Sequence, residues 1–352
     1  MKLHSAIIIC TTICLAAPHT LAANHYLNTI SAHNISSLQH AITKTAFSSF
    51  APQAPTTPTP SSAHAAKYGY EPLYGTMSIY GEYNDDGRSG GDTTPSPRQT
   101  INNAWLNWQH VGNDTKFDEI THLDSKHNLY MGGITSGRTK FASGHTAWGI
   151  YTGYLDGTTT SHSLNIDTNG GFFGIYNRYQ SKKLSISATI NGGTNNNTGT
   201  TQYGIDEITN FWIGGTANTT YNIALDHTFT LQPNIQIGYT WIKSENYTST
   251  SNDIIKNDAF NMFEITPGIS AIKHIANNWF GTISVKHIMI FDNGGNTTIN
   301  NIALPPLTNH SFTEYEISLE KAVGAIALRT NIGRRDGGHS GWIGGLNFKY
   351  LF

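Results

Sequence analysis

Sixteen histidines, 23 acidic and 21 basic residues are spread over 352 positions, and the first question is whether any stand where they could do chemistry. Two histidines sit beside a hydroxyl: His339-Ser340, framed by Gly338 and Gly341, and His145-Thr146, which follows Gly144. A hydrolase would use such a pair as base and nucleophile. Adjacent residues of an extended strand point to opposite faces, however, and both pairs fall at Gly-rich turns. No carboxylate stands at a spacing that would orient either imidazole as a nucleophilic triad requires, and the histidine spacings form no recognisable ligand set for a metal. Gly170-Gly171 and Gly192-Gly193 read as turns rather than phosphate cradles, since no helix follows them. The sequence therefore predicts no catalytic residue, no cofactor and no metal.

The charges that do recur with regular spacing lie opposite apolar residues. Glu314, Glu316 and Glu320 alternate with Tyr315, Ile317 and Leu319, and Arg329 and Asn331 alternate with Leu328 and Ile332. Glu264, Lys286 and Lys349 fall on the same side of their own alternating runs. Such period-2 patterning belongs to strands with one apolar face. It is repeated without charge at Ile235, Ile237, Tyr239 and Trp241 against Gln236, Gly238 and Thr240, and at Leu184, Ile186, Ala188 and Ile190 against Ser185, Ser187 and Thr189.

Composition says where such strands could live. Only 12% of residues are charged, 35 are Gly, mean hydropathy is −0.32, and a formal net charge of −2 offers no basic field for nucleic acid. No apolar run beyond the N-terminus approaches the roughly 20 residues a membrane helix needs. If the chain crosses a membrane it must do so as a closed barrel, the other way to pair every backbone group. Met1-Lys2, the apolar Ala6 to Ala17 and the small residues around Ala22-Ala23 make residues 1–23 a secretory signal. Cys10 and Cys14 both lie within it, so the exported chain is expected to hold no disulfide or thiol chemistry.

Residues 24–66 form an Ala/Ser/Thr/Pro-rich arm, expected to be short and disordered, with low-complexity sequence from Ala51 to Pro60 and a loosely helical spacing at Ile35, Leu38, Ile42 and Phe47. Residues 67–101 are Tyr/Gly-rich, with a strand pattern from Tyr68 to Tyr83 before a turn-rich loop. From 102 onward, alternating segments fall near 102–110, 127–138, 146–156, 170–180, 184–192, 209–221, 231–243, 258–272, 278–291, 311–321, 325–334 and 341–352, which makes twelve.

Connections at 138–145, 180–183, 274–278 and 321–324 are short, whereas those at 157–169, 193–208, 244–257 and 292–310 are long and polar. Outer-membrane barrels sort their turns in this way, short on the periplasmic side and long outside. A soluble sandwich has no reason to do so. The predicted fold is thus all-β, a transmembrane antiparallel β-barrel of twelve strands over 102–352. Inside such a barrel the seven charged residues avoid lipid, where an Arg or Lys at mid-membrane costs about 2–4 kcal/mol. We read them as interstrand ion pairs closing the wall, Glu316 with Arg329 among them, in preference to a network touching a plug or lining a pore. All seven Trp fall at or near strands and are assigned to the interfacial girdles.

The last stretch, Trp342 to Phe352, puts Trp342, Leu346, Phe348, Tyr350 and Phe352 on one face and stops on an aromatic. In this it resembles bacterial outer-membrane barrels. Residues 102–352 as a whole resemble an autotransporter translocator domain. The likeness rests on Leu231 to Tyr239, similar to that family's L-x-P-x-x-x-x-x-Y strand, on the Gly-rich hairpins at Asn128 to Gly137 and Ala147 to Gly157, and on the closing strands Tyr315 to Arg334 and Gly341 to Phe352. The resemblance implies a twelve-stranded barrel in the outer membrane of a Gram-negative cell. It also implies contact with outer-membrane lipid, display or translocation of the chain's own N-terminal segment, and assembly by the barrel-assembly machinery through Phe348, Tyr350 and Phe352. Only about forty residues separate the signal from Lys67, so the exported portion is expected to be tiny. The Tyr/Gly-rich run before the first strand does not read as the helix that family threads through its pore. The alternative is a porin-like or adhesin-like barrel whose outside loops bind an extracellular partner.

Overall fold

Strands whose apolar residues all lie on one face can bury that face in lipid and turn the other toward a lumen, provided the sheet closes and leaves no open edge. The computed structural model describes residues 27–48, 102–116, 122–141, 144–161, 164–181, 183–201, 204–276, 278–304 and 310–352. It shows this closure. Twelve antiparallel strands pair in chain order: β1 (Asn103–Lys116), β2 (His122–Phe141), β3 (Gly144–Thr160), β4 (Leu164–Ser181), β5 (Leu184–Thr201) and β6 (Gly204–Tyr221), then β7 (Phe229–Ser244), β8 (Phe260–Ala276), β9 (Trp279–Gly294), β10 (Phe312–Val323), β11 (Ile326–Gly337) and β12 (His339–Leu351). β12 returns to pair with β1, from Asn103 opposite Leu351 up to Thr115 opposite His339. The backbones of Asn102 and Phe352 exchange both hydrogen bonds, at 3.0 Å each, so the last residue is tied to the first strand at one rim, the closing end.

The outer surface carries Leu106, Tyr130, Ile134, Ile150, Phe173, Ile190, Ile237, Ile283, Ile317 and Leu328, all exposed, while Ser185, Ser187, Thr189, Gln236 and Thr240 are buried inside. Two tryptophans leave the girdle assigned to them. Trp105 and Trp212 are buried in the lumen at 1% and 0% exposure, whereas Trp148 and Trp342 remain outside. Trp105 turns in because its indole N–H donates to the Tyr176 hydroxyl at 2.9 Å, which itself bonds Thr135 at 2.7 Å. Tyr151, Phe172 and Trp212 continue this inner wall with ring centroids about 6 Å apart. Glycines on the facing strands make room for it. A Cβ at Gly153 would lie 2.3 Å from Phe172 Cζ, and one at Gly174 would lie 2.3 Å from Tyr151 Cζ.

The loops at 157–169 and 193–208 are a correction. Instead of long polar loops, β3 and β4 run on to Thr160 and back from Leu164, and β5 and β6 run on to Thr201 and back from Gly204. Their Thr- and Asn-rich ends keep alternating and keep pairing, so the backbone stays satisfied as strand. A crossing needs only about 9–11 residues, yet β2 to β6 are 17 to 20 long, so the sheet projects past the membrane at the end away from Phe352, the far end. The far-end connections 245–259 and 295–311 do contain loop, and within them Tyr247–Thr248, Ile254–Asn257, Thr297–Ile299 and Ile302–Ala303 form a separate small sheet.

The arm also differs from expectation. Where disorder with a short helical stretch was expected, Leu27–Ser48 is a 22-residue helix, α1. The signal at 1–23, the low-complexity run at 51–60 and the Tyr/Gly-rich segment at 67–101 lie outside the described residues.

Candidate functional site: a helix held inside the barrel

α1 lies in the lumen. Its apolar residues Leu27, Ile30, Ile35, Leu38 and Ile42 are buried, and so are its polar residues Ser31, His33, Gln39, His40 and Thr43. Burial on every side is possible because the lumen wall is polar and answers most of these polar side chains. Near the far end Asn34 donates to Thr159 at 2.9 Å and accepts from Ser125 at 3.3 Å. Ser31 is bonded by Asn210. One turn on, Ser37 accepts from Asn113 at 2.7 Å and from Arg335 at 3.1 Å. Gln39 donates to Asn191 at 2.7 Å, Thr43 meets Thr216 at 3.1 Å, and Thr45 donates to Gln109 at 2.9 Å. The helix therefore runs with its N-terminus at the far end and its C-terminus toward the closing end. Leu27 and Ile30 complete an apolar cluster with Leu123, Leu164, Ile166 and Ile208 at the far end.

The charged face of the wall, on β8 to β11, supplies the other anchor. Lys44 bridges two carboxylates, 2.6 Å from Glu314 and in direct contact with Glu316, with its own side chain only 12% exposed. Glu314 also accepts from Arg335 Nε at 3.1 Å, and Glu316 accepts from Arg329 at 3.1 Å and Asn331 at 3.0 Å. Arg335 is fully buried, with Asn113 and Phe312 completing its shell. Each carboxylate thus carries two cations, one from the wall and one shared from the helix. Charge-assisted bonds of this kind are the strong ones, and losing one partner of a buried pair is costly.

All seven charged residues singled out by alternation can be placed. Glu264, Glu314, Glu316 and Glu320 are buried in the lumen, and Lys286, Arg329 and Lys349 are partly buried on inward-facing positions. Glu264 lies 3.9 Å from His40 Nδ1. Glu316 pairs with Arg329 across neighbouring strands of the wall, and the same carboxylate contacts Lys44 of α1. Lys44, His40, Asn113 and Arg335 were not singled out from sequence. Arg335 was findable, because it continues the inward series Arg329, Asn331 and Gly333. Phe348, Tyr350 and Phe352 point outward, 39%, 46% and 61% exposed.

His339 is buried, bonded to Thr115 at 2.8 Å and edge-on to Phe312, while the Ser340 hydroxyl donates to the Gly337 carbonyl at 3.3 Å. The two side chains serve different neighbours. Among the described residues no three His, Cys, Asp or Glu side chains converge to hold a metal.

A closed twelve-stranded barrel with an apolar outer belt and an aromatic C-terminal strand defines an outer-membrane protein of a Gram-negative cell. Residues 102–343 match the model of the autotransporter beta-domain, and the chain belongs to that family. Among solved structures, the beta domain of the Bordetella autotransporter BrkA is similar at 13% identity and TM-score 0.62, over 72% of this chain and 100% of that one. The transport unit of AIDA-I from Escherichia coli is similar at 14% identity and TM-score 0.59, over 74% and 92%. The translocator domain of NalP from Neisseria meningitidis is similar at 12% identity and TM-score 0.58, over 71% and 88%. At such identities these likenesses speak for the fold alone. No curated protein matches the chain significantly.

Proposed function

We propose that the barrel carries its own N-terminal segment to the cell surface and keeps it there, with α1 as both tether and plug. The observation that carries this is the direction of α1 through the lumen. Its N-terminus lies among Leu123, Leu164 and Ile208 at the end opposite Phe352, and its C-terminal Thr45 lies against Gln109. With the short connections and Phe352 in the periplasm, residues before Leu27 emerge outside. The C-terminal turn of α1 and the first residue of β1, Asn103, both lie toward the periplasmic end. The displayed portion is thus the stretch between the end of the signal and Leu27, shorter than the arm considered from sequence.

The barrel enters the membrane by the assembly machinery, with Phe348, Tyr350 and Phe352 as the recognised face. Nothing in this reading requires an active site.

The test is a pair of epitope tags, one after Asn24 and one after Ala65, probed on intact cells with antibody and protease. The first tag should be exposed and the second reached only after the outer membrane is opened. The reverse pattern, or both tags hidden, would contradict the reading.

A further inference from the structure

Between the C-terminal turn of α1 and the closing end of the barrel lies a polar cavity of about 140 Å³. Its ceiling is Lys44, Thr45 and Phe47, and β1, β6 to β9 and β10 to β12 supply its sides. Glu316, the carboxylate that borders it, is already occupied by Lys44, Arg329 and Asn331, and Glu314 beyond it by Lys44 and Arg335. Lys286 stands opposite Glu314 in the register, yet among the described residues it makes no ion pair with a carboxylate. Its stem crosses Gly268, where a Cβ would meet Lys286 Cγ at 2.8 Å and Asn234 Oδ1 at 2.9 Å. Lys286 thus lines the cavity close to Glu314 and Glu316, and among the described residues it forms no ion pair with either.

Four further side chains lining this space are more than nine-tenths buried and hold polar atoms with no hydrogen-bond partner among the described residues: Gln109 Nε2, Gln236 Nε2, Thr282 Oγ1 and both amide atoms of Asn347. Buried polar groups are normally satisfied. Here the unsatisfied atoms are mostly N–H donors, gathered with the Lys286 ammonium in a space of a few heavy atoms. A cation is excluded by Lys286, and an apolar guest would leave every donor stranded.

We propose that this cavity is a binding site for a small oxyanion, a phosphate or a short carboxylate, admitted from the closing end and held by Lys286 with the amides of Gln236, Gln109 and Asn347. The proposal uses the position of α1 as the ceiling but stands whether or not the N-terminal segment is displayed.

Inorganic phosphate is the probe. Full-length barrel, purified in detergent, should bind it saturably with one site per chain by titration calorimetry. Lys286→Gln should weaken binding at least tenfold, Lys286→Arg should retain it, and Lys256→Gln, on the small far-end sheet, should leave it unchanged. Folding of each variant is read from heat-modifiable migration. Should Lys286→Gln fail to fold, Gln236→Leu replaces it with the same expected loss.

A second readout uses Ser270→Cys, which lines the cavity in a chain whose Cys10 and Cys14 fall in the signal. An anionic thiol reagent should modify it faster than a cationic one, and phosphate should slow the anionic reagent. No saturable phosphate binding by the wild-type chain, equal binding by Lys286→Gln, or no preference between the reagents would overturn the site and leave a water-filled cavity. None of these outcomes bears on the tags at Asn24 and Ala65, so the two readings fail separately.

Discussion

Lys44 is the residue on which the plugged state turns. Among the described side chains of α1 it is the one that reaches both Glu314 and Glu316, and those carboxylates also pair with Arg335 and Arg329. Replacing it with Gln removes the shared cation while leaving both acids buried, a change that costs about 3 kcal/mol when one partner of a buried pair is lost. That cost falls on helix docking, not on the wall, because the wall cations remain. Lys44→Gln should therefore speed hydrogen exchange within Leu27–Ser48 by about a hundredfold or more while β10 and β11 stay protected, and Lys44→Arg should restore most of the protection. Unchanged exchange in the helix would mean that the ionic anchor contributes nothing. Half of this cluster was legible in the sequence. Glu314, Glu316 and Arg329 announce themselves by alternating with Ile317 and Leu328, because a strand records which way its residues face. Lys44 gives no such sign, since it sits on a helix, and its partners are 270 residues away in the chain.

At the scale of elements, α1 shows why a helix inside a polar lumen is hard to read from sequence. A surface helix betrays itself by an apolar stripe against a polar face. α1 has no outer face, and its Ser, Thr, Asn, Gln and His residues are as buried as its Ile and Leu, so only the loose spacing of Ile35, Leu38, Ile42 and Phe47 was visible. Strand existence was legible for the opposite reason, because lipid on one side and lumen on the other enforce period 2. Strand length was not, since pairing beyond the membrane continues in Thr/Asn-rich sequence that also suits a loop. The inner aromatic wall makes its own demand on the strands. Gly153→Val would drive a branched side chain into Phe172, 2.3 Å from its Cβ, and overpacking of this kind costs about 1–3 kcal/mol. The yield of heat-modifiable barrel should fall for Gly153→Val and stay unchanged for Thr152→Val, whose side chain faces lipid. Equal yields would show that the ring contact can be relieved by repacking. The closing strand β12 is argued in the same way. Deleting Phe352 removes the outward aromatic and both backbone bonds to Asn102. Outer-membrane assembly should drop, and an undiminished yield would remove the terminal aromatic from the assembly signal.

For the whole molecule, two unlike anchors hold one helix in a closed wall. At the far end Leu27 and Ile30 join an apolar cluster, and toward the closing end Lys44 joins an ionic one, with a row of neutral hydrogen bonds between them. A barrel built this way should be shut as isolated and should open only when the helix leaves. The most direct measurement is ion conductance of the purified chain in planar bilayers, compared with the same chain lacking Leu27–Ser48. The full chain should be nearly silent, and the deletion should open large, steady channels of uniform size. Equal conductance from the two proteins would contradict the placement of α1 as the plug.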